Sequence, residues 1–120
     1  MISMQEQQAK QKTLQEVYQI VFCTCPNQEI AVKLGSALVE AKLAACVNII
    51  PGLTSIYTWQ EKIETSTEVL LIIKTKTSLF QALETFILQN HPYECPEIVG
   101  IPISQGFSGY LQWIEKSVAV

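Results

Sequence analysis

Arginine and aspartate are absent from this chain: all eleven acidic residues are Glu and all eight basic residues are Lys. Without a guanidinium there is no bidentate clamp for phosphate, carboxylate or guanine, which argues against a phosphoryl-transfer site or a base-reading DNA surface of the usual kind. The formal net charge of -3 points the same way, because nucleic-acid binders carry a basic footprint. Charge of either sign is scarce, at 16% of residues against 48% apolar, where an ordinary domain carries about 25%. Little charge is left to cover the large relative surface of a small domain. Either Gln, Ser and Thr cover it, or a second copy does and the protein is a homo-oligomer; composition leaves both open.

Long hydrophobic runs are missing too. The longest, residues 69–73, falls far short of the roughly 20 residues that span a bilayer, and residues 1–16 hold no apolar segment of the kind a secretory signal needs. These absences predict an unexported, cytoplasmic protein with no membrane partner. Four cysteines, Cys23, Cys25, Cys46 and Cys95, are present, but a chain with this much apolar content does not need disulfide staples, so reduced thiols are expected. At 120 residues the chain holds one domain with one core.

Residues 1–16, rich in Gln and Lys, read as a disordered arm, and residues 17–120 as the domain. Val17, Ile20, Val21, Phe22 and Cys23 form a dense run of strand length, expected at the centre of a sheet. Cys25-Pro26-Asn27 ends it, with Asn27 able to cap a helix in which Ile30, Leu34, Ala37, Leu38 and Ala41 recur at helical spacing, to about Leu43. Residues 46–50 are β-rich and stop at Pro51-Gly52; residues 56–59 resume an extended segment, Ile56 and Thr58 facing one side and Tyr57 and Trp59 the other. Residues 60–64 read as a polar turn and residues 68–76 as a strand buried on both faces. Thr77 and Ser78 can cap a second helix that His91-Pro92 ends. Residues 97–104 read as a strand that Pro102 confines to an edge or a bulge, and Ser108 can cap a last helix with Lys116 near its negative end. The order is β-α-β-β-α-β plus a C-terminal helix, the pattern of a ferredoxin-like α+β sandwich.

Ala44-Ala45-Cys46-Val47-Asn48-Ile49, Pro51-Gly52, Ser55-Ile56-Tyr57-Thr58-Trp59, Glu68 through Lys74-Thr75, His91-Pro92-Tyr93-Glu94-Cys95-Pro96-Glu97-Ile98 and Tyr110-Leu111-Gln112-Trp113 occur in that order. Together they resemble the CutA family of divalent-cation tolerance proteins, over residues 17 to 115. The resemblance implies a ferredoxin-like subunit in a homotrimer resembling the PII signalling proteins, built through extended strands, and a role in tolerance of copper and other divalent cations. Members of the family commonly carry Gly in the turn after the Trp, where this chain has Glu61; a non-Gly residue resists positive φ there. Some bacterial members resembling this chain are thought to bind copper through two adjacent histidines and a strand cysteine. Cys23 aligns with that cysteine, but the histidine pair is Asn90-His91 here, and Cys25 and Cys95 look like additions.

Cys23 and Cys25 lie i, i+2, so on a strand both thiols face one way with Cα atoms about 6.6 Å apart, a spacing better suited to a shared soft metal than to a disulfide. The alternative is a pair of small buried hydrophobes. His91 is followed by Glu94, Cys95 and Glu97, so one loop offers nitrogen, sulfur and oxygen donors, with copper favoured over zinc; the alternative is a helix cap. The candidate metal ligands are Cys23 and His91, with copper or another divalent cation as a non-obligatory, weakly bound partner. Lys74, Tyr93, Glu97, Tyr110 and Trp113 sit at element ends, and the resemblance gathers them near a cleft between subunits. Otherwise Tyr93 and Trp113 pack and Lys74 pairs with Glu97. Tyr57 and Trp59 are candidate trimer contacts. No local Ser-His-acid or Cys-His set is visible, so a non-enzymatic protein is expected, although His91 with Cys23 or Cys95 could meet in space. The alternative function is a PII-like sensor that binds a small molecule in the cleft and signals to a partner protein.

Overall fold

The structure, a computed structural model, describes residues 17–119; the arm expected over residues 1–16 lies outside the described residues. Strand β1 (Tyr18–Cys25) is followed by helix α1 (Gln28–Glu40), the long strands β2 (Cys46–Trp59) and β3 (Lys62–Lys76), a 3-10 turn (Thr77–Leu79), helix α2 (Phe80–Asn90), strand β4 (Ile98–Pro102) and helix α3 (Ser108–Ser117). The strands form one sheet in the order β2-β3-β1-β4, antiparallel at every pairing. This is the expected ferredoxin-like α+β arrangement with an added C-terminal helix. β1 and β3 are central as their unbroken apolar runs require, and β4, whose Pro102 cannot donate to a ladder, is an edge strand paired only with β1.

Period-2 alternation assigns the two faces. Val21, Cys23 and Cys25 of β1 and Val69, Leu71 and Ile73 of β3 point at the helix layer and are buried with Ala31, Leu34 and Leu38 of α1 and Leu83 and Ile87 of α2. Gly35 lets α1 lie close to the sheet, since a Cβ there would meet Val47 Cγ1 at 3.2 Å. A smaller cluster, Tyr18, Ala45, Leu79, Ile114 and Val118, seats α3 across one end of the sheet, where Lys76 Nζ meets Glu115 Oε2 at 2.8 Å. Most of the face opposite α1 and α2 has no helix on it: Ile50, Val99 and Ile101 are exposed there.

Asn27 caps α1 as expected, its side chain accepting from Ile30 N at 2.9 Å. The helix stops at Glu40, not near Leu43: Lys42 turns left-handed at φ 58, with Lys42 N bonded to Val39 O and Leu43 N to Leu38 O, a Schellman closure. The expected caps at Thr77, Ser78 and Ser108 do not form. Thr77 and Ser78 belong to the 3-10 turn, α2 and α3 start at their own backbone turns, and neither has a side-chain cap bond. Residues 46–59 are one strand, not two. Pro51 and Gly52 are absorbed as a bulge, with Ile50 opposite Leu70 and Leu53 opposite Glu68, and Gly52 supplies the left-handed φ of 79. The bulge inserts one residue and so exchanges the faces beyond it, which puts Tyr57 opposite Glu64 and Trp59 opposite Lys62.

The polar turn is shorter than the expected 60–64: only Gln60 and Glu61 lie outside the ladder, at φ 49 and φ 66. Two positive φ values make a turn of the primed type, matched to strand twist, but neither residue is the Gly or Asn that adopts it easily. Glu61→Gly should therefore stabilise the protein by about 0.5–1 kcal/mol, the left-handed penalty relieved less the added freedom of the unfolded chain. Denaturant unfolding checks this; a loss of stability would show that the Glu61 side chain contributes something the turn geometry does not reveal.

Candidate metal centre and the adjoining cleft

Because Cys23 and Cys25 share the helix-facing side of β1, both thiols are fully buried. α2 ends at Asn90, and His91 takes the extended backbone (φ -95, ψ 138) that a following proline favours. That turn carries the imidazole under the end of β1. Its Nε2 lies 2.7 Å from Thr24 O, and its Nδ1 accepts from Tyr93 N at 3.0 Å. A ring nitrogen that accepts from an N–H bears no proton, so the partners assign the Nε2–H tautomer, donating to Thr24 O. Cys25 Sγ is 3.7 Å from Nε2, and donor atoms of Cys23, Cys25 and His91 all lie within 4.8 Å of one another. His91 stands at the C-cap position of α2, but its ring bonds to Thr24 and Tyr93 and to no carbonyl of the helix, whose Phe86 O is taken by the Asn90 side chain at 2.8 Å.

The two thiols differ. Cys23 Sγ donates to Thr24 O at 3.8 Å, and its nearness to Cys25 comes first in lowering the Cys25 thiol below its ordinary value, even though burial and Glu68 push it up. The nearness of Cys25, followed by burial and by the charges of Cys25, Glu97 and Glu68, raises Cys23. Two sulfurs and an imidazole are a soft donor set, fit for copper or zinc, but among the described residues no fourth ligand of the His, Cys, Asp or Glu kind joins them. The oxygen and sulfur donors expected from the same loop, Glu94, Cys95 and Glu97, face the other way, and Cys95 is exposed.

Those residues line a cleft of about 1180 Å³ between the outer part of the β2–β3 hairpin and the segment after His91, together with Tyr57, Trp59, Glu64, Glu68 and Tyr93. All its charged groups are carboxylates. Glu68 is buried, and Tyr93 donates to its Oε2 at 2.8 Å; burial and this carboxylate hold the Tyr93 hydroxyl above its ordinary value. Of the five residues expected in one cleft, the fold brings Tyr93 and Glu97 together here. Lys74 is six residues farther along β3 than Glu68, roughly 20 Å away. Its Nζ contacts Cys46 Sγ at 3.8 Å. Tyr110, raised by burial first and by Cys46 second, stacks on Trp113 at 5.6 Å. Lys74 and Glu97 form no ion pair; among the described residues the salt bridge is Lys76–Glu115. Tyr57 and Trp59 share the cleft's wall and stay exposed.

Glu68 and Thr24 were not legible as site residues. Glu68 meets Tyr93 across 25 positions of chain, and Thr24 contributes only its carbonyl. For Cys25 the i, i+2 spacing was the available signal.

The sheet order, the one-sided helix pair and the buried thiol–imidazole set define an antiparallel ferredoxin-like domain with a soft donor cluster at the end of a central strand. Residues 19–117 match the family described as CutA1 divalent ion tolerance protein, and the chain belongs to that family. It is 50% identical over 95 residues to human "Protein CutA", which is 79% of this chain and 53% of that protein; it spans about half the length of the mammalian relatives it matches. The solved structure of the divalent cation tolerance protein (Cut A1) from Thermus thermophilus superposes with a TM-score of 0.83 at 45% identity, covering 85% of this chain and 99% of that one. CutA1 from Oryza sativa gives 0.85 at 43% identity, covering 86% and 94%. Among the described residues no helix is long and apolar enough to cross a membrane.

Proposed function

We propose that this chain serves divalent-cation tolerance by holding copper, not by turning over a substrate, and that it does so in the cytoplasm as a homotrimer. The observation that carries the metal reading is the convergence of three soft donors within 4.8 Å. Cys23 and His91 would hold the ion, with Cys25 as the third donor in place of a second imidazole; thiolate and imidazole favour copper over zinc. Binding is weak, because the set stops at three donors and both nitrogens of His91 already have partners. No obligatory cofactor follows. Catalysis is disfavoured by the same geometry: both thiols near the imidazole, Cys23 and Cys25, are fully buried, and the fold by itself licenses no activity.

The trimer reading draws on the family resemblance and on surface left without a layer. Beyond the bulge the helix-facing side of the hairpin carries no helix, with Ile56 at 71% and Ile63 at 79% exposure, and on the other side Tyr57 and Trp59 stay exposed beside the cleft. A bare two-stranded ribbon of this kind is marginal in water and gains most from burial against neighbours. A cleft containing Lys74, Tyr93, Glu97, Tyr110 and Trp113 together would need such a neighbour. The sensor reading is the weaker, since a cleft whose charged groups are Glu64, Glu68, Glu94 and Glu97 repels the anionic ligands such a site would take.

Copper(I) titration of the fully reduced protein against a competing chelator tests the metal reading. Saturation at one ion per subunit is expected for the native chain and none for the Cys23→Ala, His91→Ala double variant; equal uptake by both would place the metal elsewhere. Sedimentation at micromolar concentration should give three times the 13.4 kDa subunit mass, and Ile63→Glu should shift the population toward smaller species. A native monomer would contradict the assembly.

A further inference from the structure

Both nitrogens of the His91 ring are engaged. Nε2–H donates to Thr24 O at 2.7 Å, and Nδ1 accepts from the Tyr93 N–H at 3.0 Å. Cys25 Sγ is 3.7 Å from Nε2, so an ion shared with the thiols would sit on the Nε2 side. To present an in-plane lone pair there, the ring must lose its proton from Nε2. A neutral ring then carries a proton on Nδ1, where it meets the Tyr93 N–H, donor against donor. Binding through Nδ1 displaces the Tyr93 N–H directly. By either route the Tyr93 amide loses its acceptor, and by the Nε2 route Thr24 O loses the ring N–H, its shorter contact beside the Cys23 thiol at 3.8 Å.

Tyr93 is also the residue whose hydroxyl holds Glu68 on β3 at 2.8 Å, and it lines the cleft together with Glu94, Cys95 and Glu97. One short segment therefore closes the buried donor set with its backbone and shapes the outer cleft with its side chains. On the reading that Cys23, Cys25 and His91 hold a metal, we propose that occupancy of this site is transmitted to the cleft: His91 reverses its tautomer and the Tyr93–Glu97 segment is released from the end of β1. No electron moves and the ring stays neutral: one proton leaves Nε2 and one arrives at Nδ1 through solvent, and each thiol that ligates the ion gives up its S–H proton to solvent as its S–metal bond forms. The surface around Tyr93, Glu94, Cys95 and Glu97 thereby comes to differ between empty and loaded protein, which would make the cleft a readout of metal occupancy.

Nitrogen NMR of the labelled imidazole in the reduced full chain, with copper(I) alone as the probe, reads the tautomer directly. The empty protein should show Nε2–H, and the saturated protein Nδ1–H, with Tyr93 amide exchange faster by about tenfold or more. Saturable binding with the ring still Nε2–H and the Tyr93 amide still protected would overturn the coupling while leaving the metal site in place; no saturable binding would overturn both. Two variants separate backbone from side chain. Tyr93→Phe removes the bond to Glu68 but keeps the N–H, whereas Tyr93→Pro removes the N–H that opposes the Nδ1–H ring. Tyr93→Pro should bind copper(I) more tightly than Tyr93→Phe by about tenfold, the loss of one opposing donor; equal or weaker binding would count against the coupling.

Discussion

The hydrogen bond from the His91 ring to the Thr24 carbonyl, 2.7 Å long, joins the end of α2 to the end of the central strand, and the arrangement around the site follows from it. β4 pairs with β1 only as far as Cys23, and the ring takes up the backbone just beyond. Once the ring donates there, its other nitrogen must accept, and the Tyr93 N–H supplies the proton. Tyr93 is thereby aimed across the end of the sheet at Glu68, on the face opposite the helices. A carboxylate buried away from cations is costly without a donor; the tyrosine hydroxyl is that donor. A core contact and a surface cleft thus share the seven-residue stretch from His91 to Glu97.

The second constraint is that α1 and α2 cover one face of the sheet and stop short of the outer hairpin. Inside the helix layer, period-2 alternation sends both thiols of β1 into the core, where they sit among Leu34, Leu71 and Leu83. Outside it, the bulge at Pro51-Gly52 decides which way Tyr57 and Trp59 point. Without the extra residue they would face the helix side of the sheet, and the cleft would lose two of its aromatic walls. Backbone geometry at one bulge therefore links a family sequence motif to the shape of the cleft.

The element order and the central places of β1 and β3 could be read from apolar run lengths, as could the edge position of β4 from Pro102 and the end of α2 from Pro92, because each of these is a local property. The errors also have local causes. Pro51-Gly52 reads as a terminator in isolation, but pairing with a long β3 makes it a bulge in a continuous strand. Thr77 and Ser78 have cap chemistry, yet the backbone enters α2 through a 3-10 turn that leaves them outside it. In the site, the spacing of Cys23 and Cys25 and the singular His91 pointed to the elements whose donor atoms the fold brings within 4.8 Å. Which donors converge, that His91 turns in while Glu94, Cys95 and Glu97 turn out, and that Lys74 lies at the far end of β3 from Tyr93 depend on register across long stretches of chain.

The account stands most directly on where a metal goes. Anomalous scattering from crystals of the reduced protein loaded with copper(I) would locate it. One ion per subunit between the sulfurs of Cys23 and Cys25 and the ring of His91 is the expected result. An ion on the outer loop at Cys95 and Glu97, with the His91–Thr24 bond intact, would contradict it and leave the buried cluster as packing alone.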